Sequence, residues 1–411
     1  MSNLLLKNIS ELVTMSPLVQ RGDFNSITDK DLGRISNAWL ALSNGRVEDY
    51  GTGDIPSFFK DYNVVDAEGC LVTPGLVDCH THPMFGGDRS SEFVKRLEGV
   101  SYTQIAEAGG GIKYTVSQTR EASLDELKQI AKKNIDKFLL NGVTTLECKT
   151  GYGLSVEEEL KMLLAYKELK RESKQTIKVT CLALHALYDG KSKEEFVTEM
   201  TDVLLPIAAR EELCDFVDSF VEEGYFSVED TTPFFEKAKA LGLELRVHAD
   251  EFNDVNGGLA AAQWGAKSAD HLECTNEKGI KAMKEAGVVA VILPGTSLYT
   301  GIDFAKARPF LDEGCPVALA TDFNPGSSRV DNLAFVATMG ALHCKMTMAE
   351  AFSAVSVAAA KSLGLESSKG ALSRGFDADF VIHEHESLEQ WIADMGQTKP
   401  KSVFISANKL V

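Results

Sequence analysis

The sequence predicts an α/β protein, a (β/α)8 barrel of the TIM type joined to a small β-sandwich domain formed by both chain termini. Three observations carry this expectation. The middle of the 411-residue chain alternates short apolar runs with amphipathic helical stretches, the pattern of a parallel sheet. Eight such runs occur, at 76–82, 143–149, 177–185, 216–222, 244–250, 268–272, 288–293 and 316–321. Eight strands over roughly 250 residues fit a closed barrel. Both ends of the chain read instead as short strands and turns.

Each element has a local reason. "AWLALSNGRVEDYG" places Asn44-Gly45 between two alternating runs, a strong hairpin signal. "SVEEELKMLLAYKELKRES" (155–173) and "TTPFFEKAKALGL" (231–243) carry apolar residues at helical spacing with charges opposite. "FDADFVIHE" and "KSVFISANKLV" return to strand patterning near the C-terminus. A doubly wound open sheet is the rival fold, but no GxGxxG follows a strand. There is no internal repeat and no low-complexity tract. The expected division is residues 1–70 plus 362–411 as the composite β domain, and 71–361 as the barrel.

Composition narrows the function. An apolar share of 44% and a charged share of 25% are those of an ordinary enzyme. A net charge of -18 argues against a nucleic-acid surface. It leaves room for an anionic small substrate, because a site can be locally positive within an acidic protein. The eight cysteines stand singly, with no CxxC pair, and read as reduced, buried thiols of a cytoplasmic protein. "MSNLLLKNISELVTMS" lacks the basic start and long apolar core of a signal peptide. No apolar run approaches the roughly 18 residues of a membrane span.

In such a barrel the chemistry lies where the strands end. Of eight histidines, His80, His82, His185, His248 and His271 fall at predicted strand ends. His343, His383 and His385 lie elsewhere and read as structural. His80 and His82 form His-x-His, whose alternate residues face one side of a strand and can reach one ion. Neutral imidazole suits Zn²⁺ or iron. His248 opens "HADE", with Glu251 three residues on. Asp322 in "VALATDFNPGSS" ends the eighth run; an aspartate there is a ligand, a helix cap or a turn residue. Three histidines and one aspartate make an open, catalytic metal set. A metal in it lowers the pKa of bound water to about 7. Glu251 can then move a proton from that water to a leaving nitrogen. His271, in "ADHLE", can orient the water or stabilise developing charge.

"TPGLVDCHTH", the fifth-strand histidine, the sixth-strand histidine and the eighth-strand aspartate resemble the amidohydrolase superfamily, as does "KGALSRGFDADFVIHE" at its return into the small β domain. Dinuclear members carry a carboxylated lysine at the end of strand four. "FVDSFVEEG" has no lysine there, so the resemblance implies the mononuclear type, with one Zn²⁺ or Fe²⁺/Fe³⁺ per chain on His80, His82, His248 and Asp322. Five further segments, 86–120, "ECKTGYGL", "ALHAL", "VHADEF" and "TDFNPGSS", narrow the match to one branch. That branch implies a small-molecule substrate, 4-imidazolone-5-propanoate of histidine degradation, hydrolysed at its lactam C–N bond to N-formimidoyl-L-glutamate. It also implies a homodimer.

This substrate carries a propionate, and Arg89, seven residues past His82, is placed to clamp it in a planar bidentate match. The same resemblance makes Tyr152, His185, Glu251, Asn324, Gly326 and Ser327 substrate or product contacts. His185 is expected to donate to the ring or its oxyanion, and the 324–327 turn to donate to a carboxylate. The "GGG" at 109–111 has no phosphate-loop context and reads as a flexible loop, a lid. The alternative reading is a mononuclear-metal deaminase of a nucleobase or related ring. A catalytically silent scaffold is the third, and it should have lost ligands that this chain retains.

Overall fold

The computed structural model describes residues 3–100, 104–105, 109–188 and 190–411. Parts of the 86–120 segment, at 101–103 and 106–108, lie outside the described residues.

Five strands come first: β1 (Leu4–Val13), β2 (Arg34–Ser43), β3 (Arg46–Thr52), β4 (Asn63–Asp66) and β5 (Leu71–Pro74). The predicted hairpin joins β2 to β3, with Asn44 at φ 51° and Gly45 at φ 76°, the left-handed pair such a tight turn needs. The eight apolar runs become β6 (Leu76–Asp78), β7 (Val143–Lys149), β8 (Thr176–Leu184), β9 (Phe216–Val221), β10 (Glu244–Ala249), β11 (Ser268–His271), β12 (Val289–Ile292) and β13 (Val317–Leu319). They pair in parallel, each with the next in sequence. A parallel bridge from Thr81 to Phe323 closes the first strand against the last. The closure is hydrogen-bonded from Asp322 N to His80 O (3.0 Å) and from His82 N to Phe323 O (2.8 Å). The ends of the two strands that bear site residues are therefore fixed to each other.

Serine caps start the helices between the strands. Ser155 accepts from Glu158 N and opens the helix Val156–Glu172. Ser227 and Asp230 form a capping box, so the helix expected at 231–243 spans Val228–Ala240. The cap overrode the apolar spacing as the start signal.

The last strands, β14 (Phe380–Ile382), β15 (Ser402–Ile405) and β16 (Asn408–Lys409), join β1–β5 in a second, mixed sheet of eight strands. β5 falls on the barrel side of the expected boundary at residue 70, yet it pairs with β1 and β14. The chain crosses to the barrel at Gly75, where Pro74 ends the strand. This sheet has its own core, including Leu6, Leu40, Val72 and Phe404, with Phe380 stacked on Phe404 at 4.3 Å. The barrel core is separate and larger.

His383 lies in that second region, buried and hydrogen-bonded to Thr73 Oγ1 at 2.9 Å, and His343 stacks on Phe304. All eight cysteines are free; Cys214 is half-buried and Cys274 exposed, and the other six are buried. Among the described residues no helix is long and apolar enough to cross a membrane.

Candidate metal centre and active site

The five histidines expected at strand ends converge. His80 lies 4.6 Å from His248, 5.3 Å from His82 and 5.7 Å from His271, ring centroid to centroid. His185 completes the group, 5.8 Å from His82. The ligand atoms of His80, His82 and His248 lie within 4.8 Å of one another. Asp322 Oδ1 stands 3.3 Å from His80 Nε2 and 3.5 Å from His82 Nε2. Among the described residues His80 Nε2 is buried with no hydrogen-bond partner, a cost that a metal ion in the cluster would remove. The donor set fits a divalent ion.

Three of the four donors are oriented from behind; His82 Nδ1 is buried and has no hydrogen-bond partner among the described residues. His80 Nδ1–H donates to Asp270 Oδ2 at 2.7 Å, and His248 Nδ1 lies 3.0 Å from Asp218 Oδ2. Both rings therefore present Nε2 forward. Thr296 Oγ1–H donates to Asp322 Oδ2 at 2.6 Å. Behind these carboxylates lies a second layer. Lys149 Nζ donates to Asp218 Oδ2 at 2.8 Å and meets Glu147 Oε1 at 2.9 Å. Arg246 Nη2 donates to Asp270 Oδ2 at 3.1 Å and to Cys79 O at 2.7 Å. All five of these charged side chains are fully buried. Sequence reasoning passed over them. Their signal was present: Glu147 and Lys149 on β7, and Arg246 and His248 on β10, put charge at alternate positions inside apolar runs, on the face turned into the barrel.

The electrostatics follow. Burial, then the His80 imidazole, hold His248 well below the ordinary imidazole value, so it is neutral and free to bind a cation. Burial opposes ionisation of Asp322, but the facing imidazoles of His80 and His82 hold it well below the carboxylate range. Burial likewise opposes ionisation of Asp270, and Arg246 and Lys149 outweigh it.

Past β10 the chain turns sharply, with Asp250 at φ 53°, and brings Glu251 back beside the cluster. Glu222 fixes this turn by accepting from Phe252 N (2.9 Å) and from Asn253 Nδ2 (2.9 Å). Burial, then Glu273 and Asp322, push Glu251 well above the usual carboxylate range, which suits a group that holds a proton. His271 takes φ 82°, a strained conformation for a non-glycine residue. Its Nδ1 lies 3.7 Å from Glu251 Oε1 and 3.9 Å from Glu273 Oε2, and burial lowers its pKa to about 4. Glu273, also passed over in the sequence, is pushed up to about 8 by burial, and neither of its oxygens has a hydrogen-bond partner among the described residues.

Tyr152 is buried, its ring 5.4 Å from His185. His185 corrects an expectation. Its Nδ1–H donates to Gly151 O at 2.9 Å, and burial lowers its pKa to about 4. The neutral ring therefore offers Nε2 as an acceptor, where a donor was expected. The 324–327 turn differs too. Gly326 N and Ser327 N both donate to Asn324 Oδ1 at 2.8 Å, and Asn324 Nδ2 donates to Asp322 O and Ser327 Oγ. These donors close the turn on itself, leaving the turn to act as a rigid wall. Arg89 packs on that wall. A Cβ added at Gly326 would fall 2.1 Å from Arg89 Nη1, so a side chain here would displace the guanidinium from this position.

A barrel mouth with three histidines, an aspartate and a buried acid beside them fits the class of metal-dependent hydrolases, and the family model that matches the chain is that of the amidohydrolases. The chain belongs to that family, whose model matches residues 71–410, and it is a hydrolase of carbon–nitrogen bonds in cyclic amides. It is 42% identical over 389 residues to Imidazolonepropionase of Bacillus mycoides (strain KBAB4), covering 93% of this chain and 90% of the relative. Among solved structures, a triazine hydrolase variant superposes with a TM-score of 0.77 at 16% identity, over 100% of this chain and 94% of the other. An adenosine deaminase from Xanthomonas campestris with bound Zn gives 0.71 at 15% identity, over 99% and 92%. These two likenesses show the fold alone.

Proposed function

We propose that the chain hydrolyses the lactam C–N bond of 4-imidazolone-5-propanoate to give N-formimidoyl-L-glutamate. The observation that carries this reading is Arg89, nearly buried against Gly326, four residues past Asp322. A guanidinium packed on the turn that follows this aspartate is suited to receive a carboxylate. The relatives of the same length support it.

In this reading His80, His82, His248 and Asp322 would hold one metal ion, Zn²⁺ or iron (Fe²⁺/Fe³⁺). Such an ion, when bound, would supply Lewis acidity for the lactam carbonyl and a water of pKa about 7. The water oxygen bonds to the carbonyl carbon, the ring C–N bond breaks, and that carbon becomes the α-carboxylate. Glu251 takes the proton from the water and returns it to the leaving nitrogen. His271, neutral, orients the attacking water or the developing charge. His185 Nε2 accepts a ring N–H, Tyr152 packs on the ring, and Arg89 binds the propionate over the wall of Asn324, Gly326 and Ser327. The division into residues 1–70 plus 362–411 and 71–361 is part of the proposal, with the first crossing moved to Gly75. So are a homodimeric assembly and a cytoplasmic location.

The test is a direct assay of substrate loss, run beside a panel of nucleobases. We expect turnover of 4-imidazolone-5-propanoate and about one metal per chain. Ammonia release from a nucleobase, with no loss of the imidazolone, would establish the deaminase reading instead.

A further inference from the structure

The glutamate three residues past Arg89 departs from its ordinary role. Glu92 stands at the third position of the helix Ser90–Leu97, for which Arg89 is the N-cap. A glutamate there commonly reaches back to the N-cap backbone N–H. Here Glu92 Oε2 accepts from the side chain, Arg89 Nε–H, at 2.8 Å. Its other oxygen, Oε1, accepts from Gly111 N–H at 2.9 Å. The two side chains are 8% and 12% exposed.

Glycine backbone walls this pair on both sides. A Cβ at Gly110 would lie 2.9 Å from Glu92 Oε1, and one at Gly326 would lie 2.1 Å from Arg89 Nη1. Gly111 itself takes φ 71°, which a side chain would disfavour. The 109–111 glycines, read in the sequence as a flexible loop, therefore contribute a fixed backbone donor. The same helix also meets the turn beyond Asp322 a second time, through Arg96 Nη2 to Gly326 O at 3.4 Å.

We propose that Glu92 is a positioning residue for substrate recognition: it locks the Arg89 guanidinium to the 109–111 loop, so that the arginine is set in advance for a carboxylate. The inference rests on the reading of Arg89 as the propionate receptor. Its physical content is preorganisation. Arginine loses considerable rotamer freedom on binding, and a partner that fixes it beforehand removes that cost from the binding step. Charge alone predicts the opposite sign. Glu92 is an anion beside the place of an incoming anion, so its removal should tighten binding by Coulomb's law.

The experiment compares E92A, E92Q and R89A in the metal-loaded, full-length enzyme. KM, kcat and metal per chain are measured with 4-imidazolone-5-propanoate and with an analogue carrying ethyl in place of propionate. We expect E92A to raise KM up to about tenfold for the propionate substrate, the scale of ordering one rotamer-rich side chain on binding. The loss should fall on KM rather than kcat, should be larger than with the analogue, and should leave metal content intact. E92Q keeps an oxygen for Arg89 Nε–H but turns an amide N–H toward Gly111 N–H, so its KM should fall between. An unchanged or lowered KM in both Glu92 variants, with R89A strongly impaired, overturns the role of Glu92 and spares that of Arg89. An R89A enzyme with unchanged KM overturns both.

Discussion

Lys149 and Arg89 are both buried cations of one site, held in opposite ways. Lys149 rises from β7 and is enclosed by Glu147 of the same strand, Asp218 of β9 and Asp270 of β11. Arg89 sits at the end of a loop, held by Glu92, which Gly111 N–H holds in turn, and packed against the backbone of Gly326. The floor is thus made largely of ion pairs between barrel strands. The rim is made of contacts between loops, connections that a barrel leaves free to vary. The comparison teaches that stability and metal geometry belong to the floor, while substrate choice belongs to the rim.

Experiments can break or sharpen that division. The largest effect should come from the donors where floor and rim meet. Asp322→Asn or His248→Ala should abolish metal retention and lower kcat/KM by ~10³-fold or more; full activity in metal-free protein would remove the centre altogether. Next comes the floor. Lys149→Met leaves Glu147 and Asp218 buried without their cation, and breaking such a pair costs about 3–5 kcal/mol, to be read as a lowered Tm by calorimetry. Asp218→Asn should weaken metal affinity by ~10–100-fold through loss of His248 orientation, measured by competition with a chelator.

On the rim, Arg89→Ala should lose about 2 kcal/mol or more of kcat/KM with metal content and Tm unchanged. A fall in Tm as large as that of the lysine variant would erase the distinction between floor and rim.

The smallest effect is in pH. Glu273 is raised to about 8 in the folded chain, against an ordinary value near 4.3. The folded state therefore binds more protons between those values. The stability this contributes is full below about pH 4.3 and is lost as pH rises through about 8. The metal-free Glu273→Gln variant should equal the parent chain at low pH and gain a few degrees in Tm over it by pH 8. A constant difference across that range would show that Glu273 is not buried as an acid.

Much of this was legible in the residue order. All eight barrel strands fall inside or within a residue of their apolar runs, because a strand buried on both faces must be apolar along its length. The five histidines were legible because each interrupts such a run at its end. Glu273 and Glu92 were not. An acid two residues past a strand, or at the third position of a helix, is ordinarily solvated, and nothing local marks it as buried.

Composition, period and capping thus determined the barrel, the second sheet from both termini and the group of side chains at the barrel mouth. Closure of β13 on β6 decided that His80 and Asp322, far apart in sequence, face one point. The Gly151 carbonyl decided that His185 accepts. The self-closed turn at Asn324 decided that Gly326 carries Arg89 rather than a ligand. Each of these is a choice among hydrogen-bond partners distant along the chain. Residue type sets what a group can donate or accept, and only the folded backbone sets which partner is there to meet it.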